Sequence, residues 1–369
     1  MNPKLLNVML ILIPLFLLSC IAYTSWRLWL ILPLSPLGKT LAVAVYLLCF
    51  ACVFLHYGLG NKLPIGVATV TYEIGTSWMI FFLYALLIFL ALGLGRLLHW
   101  VPESFLRHSV AGTCTVLGII AILLLYGGLH YPHKHREVLE IKTEKPLQKP
   151  LTIVLASDLH IGYHNRKTEL QRWVRLLNEE NPDLVLFAGD ILDGAIRPVR
   201  EWRLDEEFRD LNAPVYAALG NHEYIAGLES SLAFYEDAGM CLLRDSSVVA
   251  SGIRIVGRDD RSNASHRALS DLAPTDTLFT ILLDHQPYHL EEAERCGIDF
   301  QFSGHTHHGQ IWPANWITDI LYEKAYGAYQ RGNTHYYVTS GLGIWGGKFR
   351  IGSQSEYLVL KIEALISIL

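Results

Sequence analysis

The sequence predicts an α/β domain carried behind an all-α membrane-spanning region. Three observations carry this reading. Hydrophobic residues are 51% of the 369, and the excess lies almost entirely before about residue 130. Within that first part the apolar residues gather into four long stretches, while nearly all Asp and Glu follow it. From Arg136 onward, short apolar strands alternate with helical segments, the pattern of a sheet covered by helices.

The four stretches run over residues 5–23, 41–57, 76–95 and 109–129. About 20 mainly apolar residues cross the hydrocarbon layer as a helix, because every backbone polar group must be satisfied within the segment. Charged residues are expected between the spans, at Arg27, Lys39, Lys62, Glu73, Arg96, Glu103 and Arg107. Trp26, Trp29, Trp78 and Trp100 sit near span ends, where amphipathic aromatics favour the interface, and His56 is expected there too. Residues 1–130 therefore read as an anchor, with no intramembrane charge pair to suggest transport.

Four spans put both termini on one face. Lys and Arg divide almost evenly between the two sides, and the start carrying Lys4 tips the expectation to the cytoplasmic face of a cell membrane. Leu17-Leu18-Ser19-Cys20 resembles a loose lipoprotein cleavage site, but no polar tether follows Cys20, so it reads as ordinary first-span sequence. His130, His133 and His135, with Lys134 and Arg136, read as a basic edge at headgroup level rather than as a metal tract.

Residues 131–150 are expected to hold a juxtamembrane linker and a first strand at Val138–Ile141, and residues 151–369 a single catalytic domain. Strands follow at Leu151–Ala156, Leu184–Ala188, Val215–Leu219, Ile253–Val256, Phe279–Leu283, Asp299–Phe302, Tyr336–Thr339 and Tyr357–Ile362. Leu170, Trp173, Val174 and Leu177 recur at helical spacing within Thr168–Glu180. A net charge of −5 supplies no basic field, so nucleic acid is not an expected partner. Cys241 and Cys296 match no metal spacing and could form one disulfide. Nothing in the chain speaks to oligomeric state.

Polar residues fall at strand ends. Five apolar strands are each followed by a turn bearing metal-ligand side chains: Asp158 and His160, Asp190, Asn221 and His222, His285, then His305 and His307. In α/β sheets ligands collect beyond strand ends. Imidazole with carboxylate suits manganese, iron or zinc, whereas magnesium and calcium prefer oxygen alone. Asp158, His160, Asp190, Asn221, His285, His305 and His307 are seven ligands, too many for one ion and enough for two if Asp190 bridges. Paired cations clamp a phosphoryl group and activate a bridging hydroxide. His222 is then spare, beside a ligand, and placed to protonate the leaving oxygen as a general acid. In D-x-H and H-x-H, residues two apart on an extended segment point the same way. Gly189, Gly220 and Gly304 permit tight turns at these ends.

The order D-x-H, G-D, G-N-H-E, H, G-H-x-H over residues 137–369 resembles the calcineurin-like metallophosphoesterase superfamily. The strings S-D-L-H-I-G, G-D-I-L-D, L-L-D-H-Q-P, S-G-H-T-H-H-G-Q and S-G-L-G-I-W-G are most similar to its bacterial membrane-associated branch of YkuE and YaeI type. The resemblance implies a four-layer αββα sandwich. It also implies one metal held by Asp158, His160, Asp190 and His307, a second by Asp190, Asn221, His285 and His305, and His222 near the leaving group. His308 departs from that branch, which commonly has Gly there.

Asp193 and Glu223 are candidates for orienting ligand histidines, or for caps. Arg258 and Asp259 read as a surface loop within possible reach of substrate, and Tyr163, His164, Trp312 and Trp345 as rim or core. The expected function is a membrane-anchored, dinuclear phosphatase or phosphodiesterase, with manganese the favoured metal and a lipid-linked phosphate a candidate substrate. The alternative is a non-catalytic scaffold or sensor on the same fold, disfavoured because no ligand is missing. A membrane metalloprotease would need H-E-x-x-H, which is absent from the sequence.

Overall fold

A computed structural model describes residues 3–365, with side chains from residue 12. Residues 1–2 and 366–369, part of the expected anchor and catalytic domain, lie outside the described residues. The chain divides into two compact units, residues 1–127 and 128–369.

In the first unit, α1 (Pro3–Ile31), α2 (Pro36–Leu59), α3 (Ile65–Leu97) and α5 (Val110–His130) are long and apolar enough to cross a membrane; a short α4 (Glu103–Leu106) precedes α5. The helices outrun the expected stretches because helical geometry tolerates the polar residues that the sequence reading used as boundaries. Glu73, expected between spans, lies about two turns inside α3. Helices α2 and α3 pack closely at Gly75, where an added Cβ would come within 3.0 Å of the Val53 backbone nitrogen. His56 is buried rather than interfacial, its Nδ1 2.9 Å from the Ala68 carbonyl oxygen.

The second unit is built on two six-stranded mixed sheets. The first has the order β1 (Lys134–Thr143), β12 (Ser355–Ala364), β2 (Leu151–Ala156), β3 (Leu184–Ala188), β4 (Val215–Ala218), β5 (Cys241–Leu242). The second has the order β10 (Gly327–Arg331), β11 (Thr334–Val338), β9 (Phe300–Ser303), β8 (Thr280–Leu283), β7 (Ile253–Gly257), β6 (Ser246–Ala250). Strands β2, β3, β4 and β5 are mutually parallel, as are β7, β8, β9 and β11. Strand β12 runs parallel to β1 and antiparallel to β2.

Side chains alternate across each strand, so both sheets are apolar on two faces. Ile153, Leu155, Leu186, Ile255, Ile281, Phe300 and Leu360 fill the layer between the sheets. Val154, Val185 and Phe187 face α6 (Lys167–Glu179) and α9 (Leu228–Asp237) through Trp173, Leu177 and Phe234. Val256, Leu282 and Tyr336 face α10 (Glu291–Arg295) through Ala293 and neighbouring loops. This is the four-layer arrangement. The remaining short helices are α7 (Ile196–Glu201), α8 (Asn221–Ala226) and α11 (Ala314–Leu321).

Strand β1 begins at Lys134, so Lys134, His135 and Arg136 of the expected basic edge are strand residues, while His130 ends α5. The Lys134 ammonium donates to the Tyr131 carbonyl and sits 3.7 Å from that ring's centroid, and Arg136 pairs with Glu180 at the end of α6. Cys241 and Cys296 are unpaired, as are the other four cysteines. Arg258 binds Asp284 and Glu292, and Asp259 is buried, accepting from Tyr224 and Arg244. The stretch expected as a surface loop is therefore an internal ion network.

Candidate metal centre

Parallel strands end together, so the turns after β2, β3, β4, β8 and β9 meet at one edge of the paired sheets. Asp158 and His160 follow β2, Asp190 follows β3, Asn221 and His222 open α8 after β4, His285 follows β8, and His305 and His307 follow β9. All of the sequence-predicted residues come together there.

The convergence has a different backbone cause from the one expected. Asp158, His160, Asp190, His305 and His307 have φ of 56°, 46°, 51°, 68° and 48°, so these segments are left-handed turns and not extended strand. Non-glycine residues avoid this region, and such strain clusters where neighbouring structure over-determines it. Here the neighbours are backbone bonds: Asp158 N–H to the Gly189 carbonyl, His160 N–H to the Asp190 carbonyl, and Gly343 N–H to the Asp158 carbonyl. Gly304 is required, because a Cβ there would stand 2.1 Å from Asp158 Oδ2.

Among the described residues, three groups of donors lie close enough to share an ion: Asp158, His160 and His307; Asp190, His285 and His305; and His160, Asp193 and His222, each with donor atoms within 4.8 Å of one another. His160 Nε2 and His307 Nε2 are 3.0 Å apart, and His307 Nε2 is 3.2 Å from Asp158 Oδ1. Asp190 Oδ2 lies 3.7 Å from His160 Nε2 and 3.2 Å from His285 Nε2, so it faces both of the first two groups. Asn221 Oδ1 is 2.8 Å from His305 Nδ1. The His222 ring stands over His160, centroids 4.5 Å apart, with its Nδ1 3.8 Å from Asp193 Oδ1.

The donor set fits divalent cations. His285 Nδ1 must carry hydrogen, because it faces the Ala188 carbonyl at 2.7 Å and a carbonyl only accepts. Its buried Nε2 has no hydrogen-bond partner and is turned toward Asp190, the orientation a metal-binding imidazole takes when its other nitrogen is fixed. Electrostatics point the same way. Burial would lower the His285 imidazole, yet Asp190 and Asp158 hold it well above the usual range. Burial likewise opposes the rise at His160, but Asp158, Asp193 and Asp190 push it up to about 10. His305 and His307, also desolvated, fall to about 4. Buried carboxylates are drawing positive charge onto whichever imidazoles can accept it.

Three buried residues brace this centre, two of them, Asn165 and Arg350, without any spacing signal in the sequence. Glu223, a candidate orienter or cap, accepts backbone N–H groups of Asp190, Leu192 and Gly220, locking two ligand turns together. Buried Asn165 donates to the carbonyls of Leu159, His160 and Ile344 and accepts from the Tyr131 hydroxyl. Arg350, fully buried, donates to the carbonyls of His307, Ser340 and Gly343. Of the four rim candidates, Tyr163 and His164 are buried, while Trp312 and Trp345 are exposed. His308 stacks on Tyr326 with ring centroids 4.7 Å apart and pairs with Asp319.

Residues 151–309 match the family described as calcineurin-like phosphoesterase. A metallophosphoesterase of Aquifex aeolicus is 31% identical over 258 residues, 66% of this chain and 98% of that protein. The Bacillus subtilis metallophosphoesterase YkuE is 32% identical over 227 residues, 58% of this chain and 79% of that one. A Danio rerio transmembrane protein with metallophosphoesterase domain is 31% identical over 297 residues, 73% of this chain and 68% of that one. Against two Helicobacter pylori metallophosphoesterases the chain spans only 60% of their length. The chain belongs to the calcineurin-like metallophosphoesterase family. It is a metal-dependent phosphoester hydrolase joined to a membrane-associated helical unit.

Proposed function

We propose that the chain is a dinuclear phosphatase or phosphodiesterase acting on an amphiphilic, lipid-linked phosphate. Asp158, His160, Asp190 and His307 would hold one cation, and Asp190, Asn221, His285 and His305 the other. The single observation that supports this most is Asp190 Oδ2 facing His160 Nε2 at 3.7 Å and His285 Nε2 at 3.2 Å, as a bridging carboxylate requires. Mixed nitrogen and oxygen donors favour manganese, with iron or zinc as alternatives. When bound, such a pair supplies Lewis acidity to phosphoryl oxygens and lowers the pKa of a bound water.

The chain's own residues do the rest. Asp190 Oδ1 accepts the His222 backbone N–H at 2.8 Å, fixing the start of α8 beside the ligands. His222, next to ligand Asn221 and within reach of Asp193, would deliver a proton from its imidazole to the leaving alkoxide. The four apolar helices motivate a membrane-borne substrate, and the Lys4-bearing amino terminus favours the cytoplasmic face.

A manganese-supplemented screen tests the reading, setting monoesters against diesters and soluble against lipid esters, with Asp190→Asn as control. Activity lost in Asp190→Asn, with expression intact, supports it. Free hydrolysis of soluble diesters with every lipid phosphate ignored would remove the lipid assignment. Purified chain without bound transition metal would favour a scaffold or sensor.

A further inference from the structure

The geometry points to α11 as an interfacial anchor that inserts into the bilayer surface at the lip of the metal centre. Surface helices normally turn their apolar face inward. This one is reversed. Trp316, Ile317, Ile320 and Leu321 lie on one face of α11 and are 59%, 57%, 83% and 66% exposed. The opposite face carries the polar residues Asn315, Thr318 and Asp319, of which Asp319 reaches His308 Nε2 at 3.4 Å. No residue of α11 is buried.

The patch extends beyond the helix. Exposed Trp312 precedes α11, and its ring centroid lies 5.4 Å from that of Trp316. Contiguous exposed apolar surface marks an interaction site, and tryptophan with aliphatic neighbours on one helical face suits the headgroup boundary. The partner is a lipid surface because this chain carries four helices long and apolar enough to cross a membrane.

Both ends of α11 are tied to the centre. Its leading loop contains His307, and Tyr322, just after it, faces His305 with ring centroids 6.3 Å apart and meets the Tyr288 hydroxyl at 3.1 Å. Insertion of α11 would set the donor cluster at headgroup depth, where lipid phosphates lie. This substrate assignment rests on the phosphoester hydrolase reading; the insertion itself does not.

The test uses the full chain in lipid nanodiscs, with a fluorophore on Ile320→Cys and the signal of identically treated wild type subtracted. Emission quenched by doxyl-labelled lipid and shielded from iodide is expected. Emission quenched by iodide and indifferent to doxyl lipid, or self-quenching between copies, would overturn the proposal. In proteoliposomes, Ile317→Asp/Ile320→Asp should lower hydrolysis of phosphatidic acid about tenfold or more, each aspartate forfeiting the transfer of a large aliphatic group into lipid. Turnover of p-nitrophenyl phosphate should be unchanged; equal losses on both substrates would overturn the anchor role. No hydrolysis by wild type of these monoesters or of a matching diester pair, phosphatidylglycerol and bis(p-nitrophenyl) phosphate, with the label still lipid-quenched, would sink the hydrolase reading and leave the anchor standing.

Discussion

The Nε2 atoms of His160 and His307, from turns after β2 and β9, stand 3.0 Å apart in a buried space. Two imidazole nitrogens at that distance share one proton or one cation. With Asp158 Oδ1 3.2 Å from His307 Nε2, the second arrangement satisfies all three groups together. Removing metal therefore leaves buried donors facing one another. Chelation should lower the thermal unfolding midpoint, and manganese at a hundredfold its Kd should restore about 2.7 kcal/mol. Scanning calorimetry or fluorescence melts with and without chelator check this.

His222 should matter for chemistry and little for metal retention. His222→Ala should lower kcat by about 10²- to 10⁴-fold on alkyl phosphates, the usual worth of a placed general acid. The loss should be much smaller on p-nitrophenyl esters, whose leaving group needs no proton. Bound metal, measured by mass spectrometry, should stay at wild-type stoichiometry.

Glu223 holds three backbone N–H groups with two carboxylate oxygens. Glu223→Gln keeps the shape but turns an NH₂ toward at least one of those donors. Metal affinity or turnover should fall about 10- to 100-fold, as for other partners that orient ligands. Metal titration followed by activity assay separates the two effects.

Arg350 satisfies the carbonyls of His307, Ser340 and Gly343 from inside the domain. Arg350→Met would strand them, at about 1–3 kcal/mol for each buried unsatisfied group. A clear drop in unfolding midpoint is expected. Arg350→Lys should recover part of it, because one ammonium cannot reproduce the planar fork.

Glu180 links three elements: its carboxylate accepts from Arg136 Nε at 2.7 Å, Arg136 Nη2 at 2.8 Å and the Tyr357 hydroxyl at 2.8 Å. The Arg136 guanidinium holds the Glu180 carboxyl below its usual range. A lowered folded pKa gives stability that is complete above the unfolded value near ~4.3 and is lost as pH falls through the folded one. Arg136 is largely exposed, so the worth is about 1 kcal/mol or less. The melting difference between wild type and Glu180→Gln should be constant near neutrality and shrink toward zero on acidification.

Much of the centre was legible because each motif pairs a metal-binding side chain with an apolar strand before it. Asp158, His160, Asp190, Asn221, His285, His305 and His307 announce themselves by residue type and position. The reason for their convergence was not legible. Left-handed φ at Asp158 and His160 depends on the turns after β3 and the loop at Gly343, which are distant in sequence. Asn165 and Arg350 were invisible because one buried polar residue leaves no periodic trace. Asp259 looked like loop surface for the same reason: its partners, Tyr224 and Arg244, come from elsewhere in the chain. Helix α11 was missed, and an amphipathic pattern cannot by itself say which face meets solvent. Strands β5, β6 and β10 were missed because they are short or half-exposed.

Strand β12 lies between β1 and β2, although nearly the whole domain separates it from them along the chain. During synthesis, β1 leaves the ribosome about two hundred residues before its neighbour, and β2 waits with one edge bare. The nascent domain must hold a slot open until Ser355–Ala364 arrives and zips in. Anything that delays or blocks that late segment, such as a bulky fusion beyond Ala364 or a premature stop, would expose two unsatisfied strand edges to neighbouring chains.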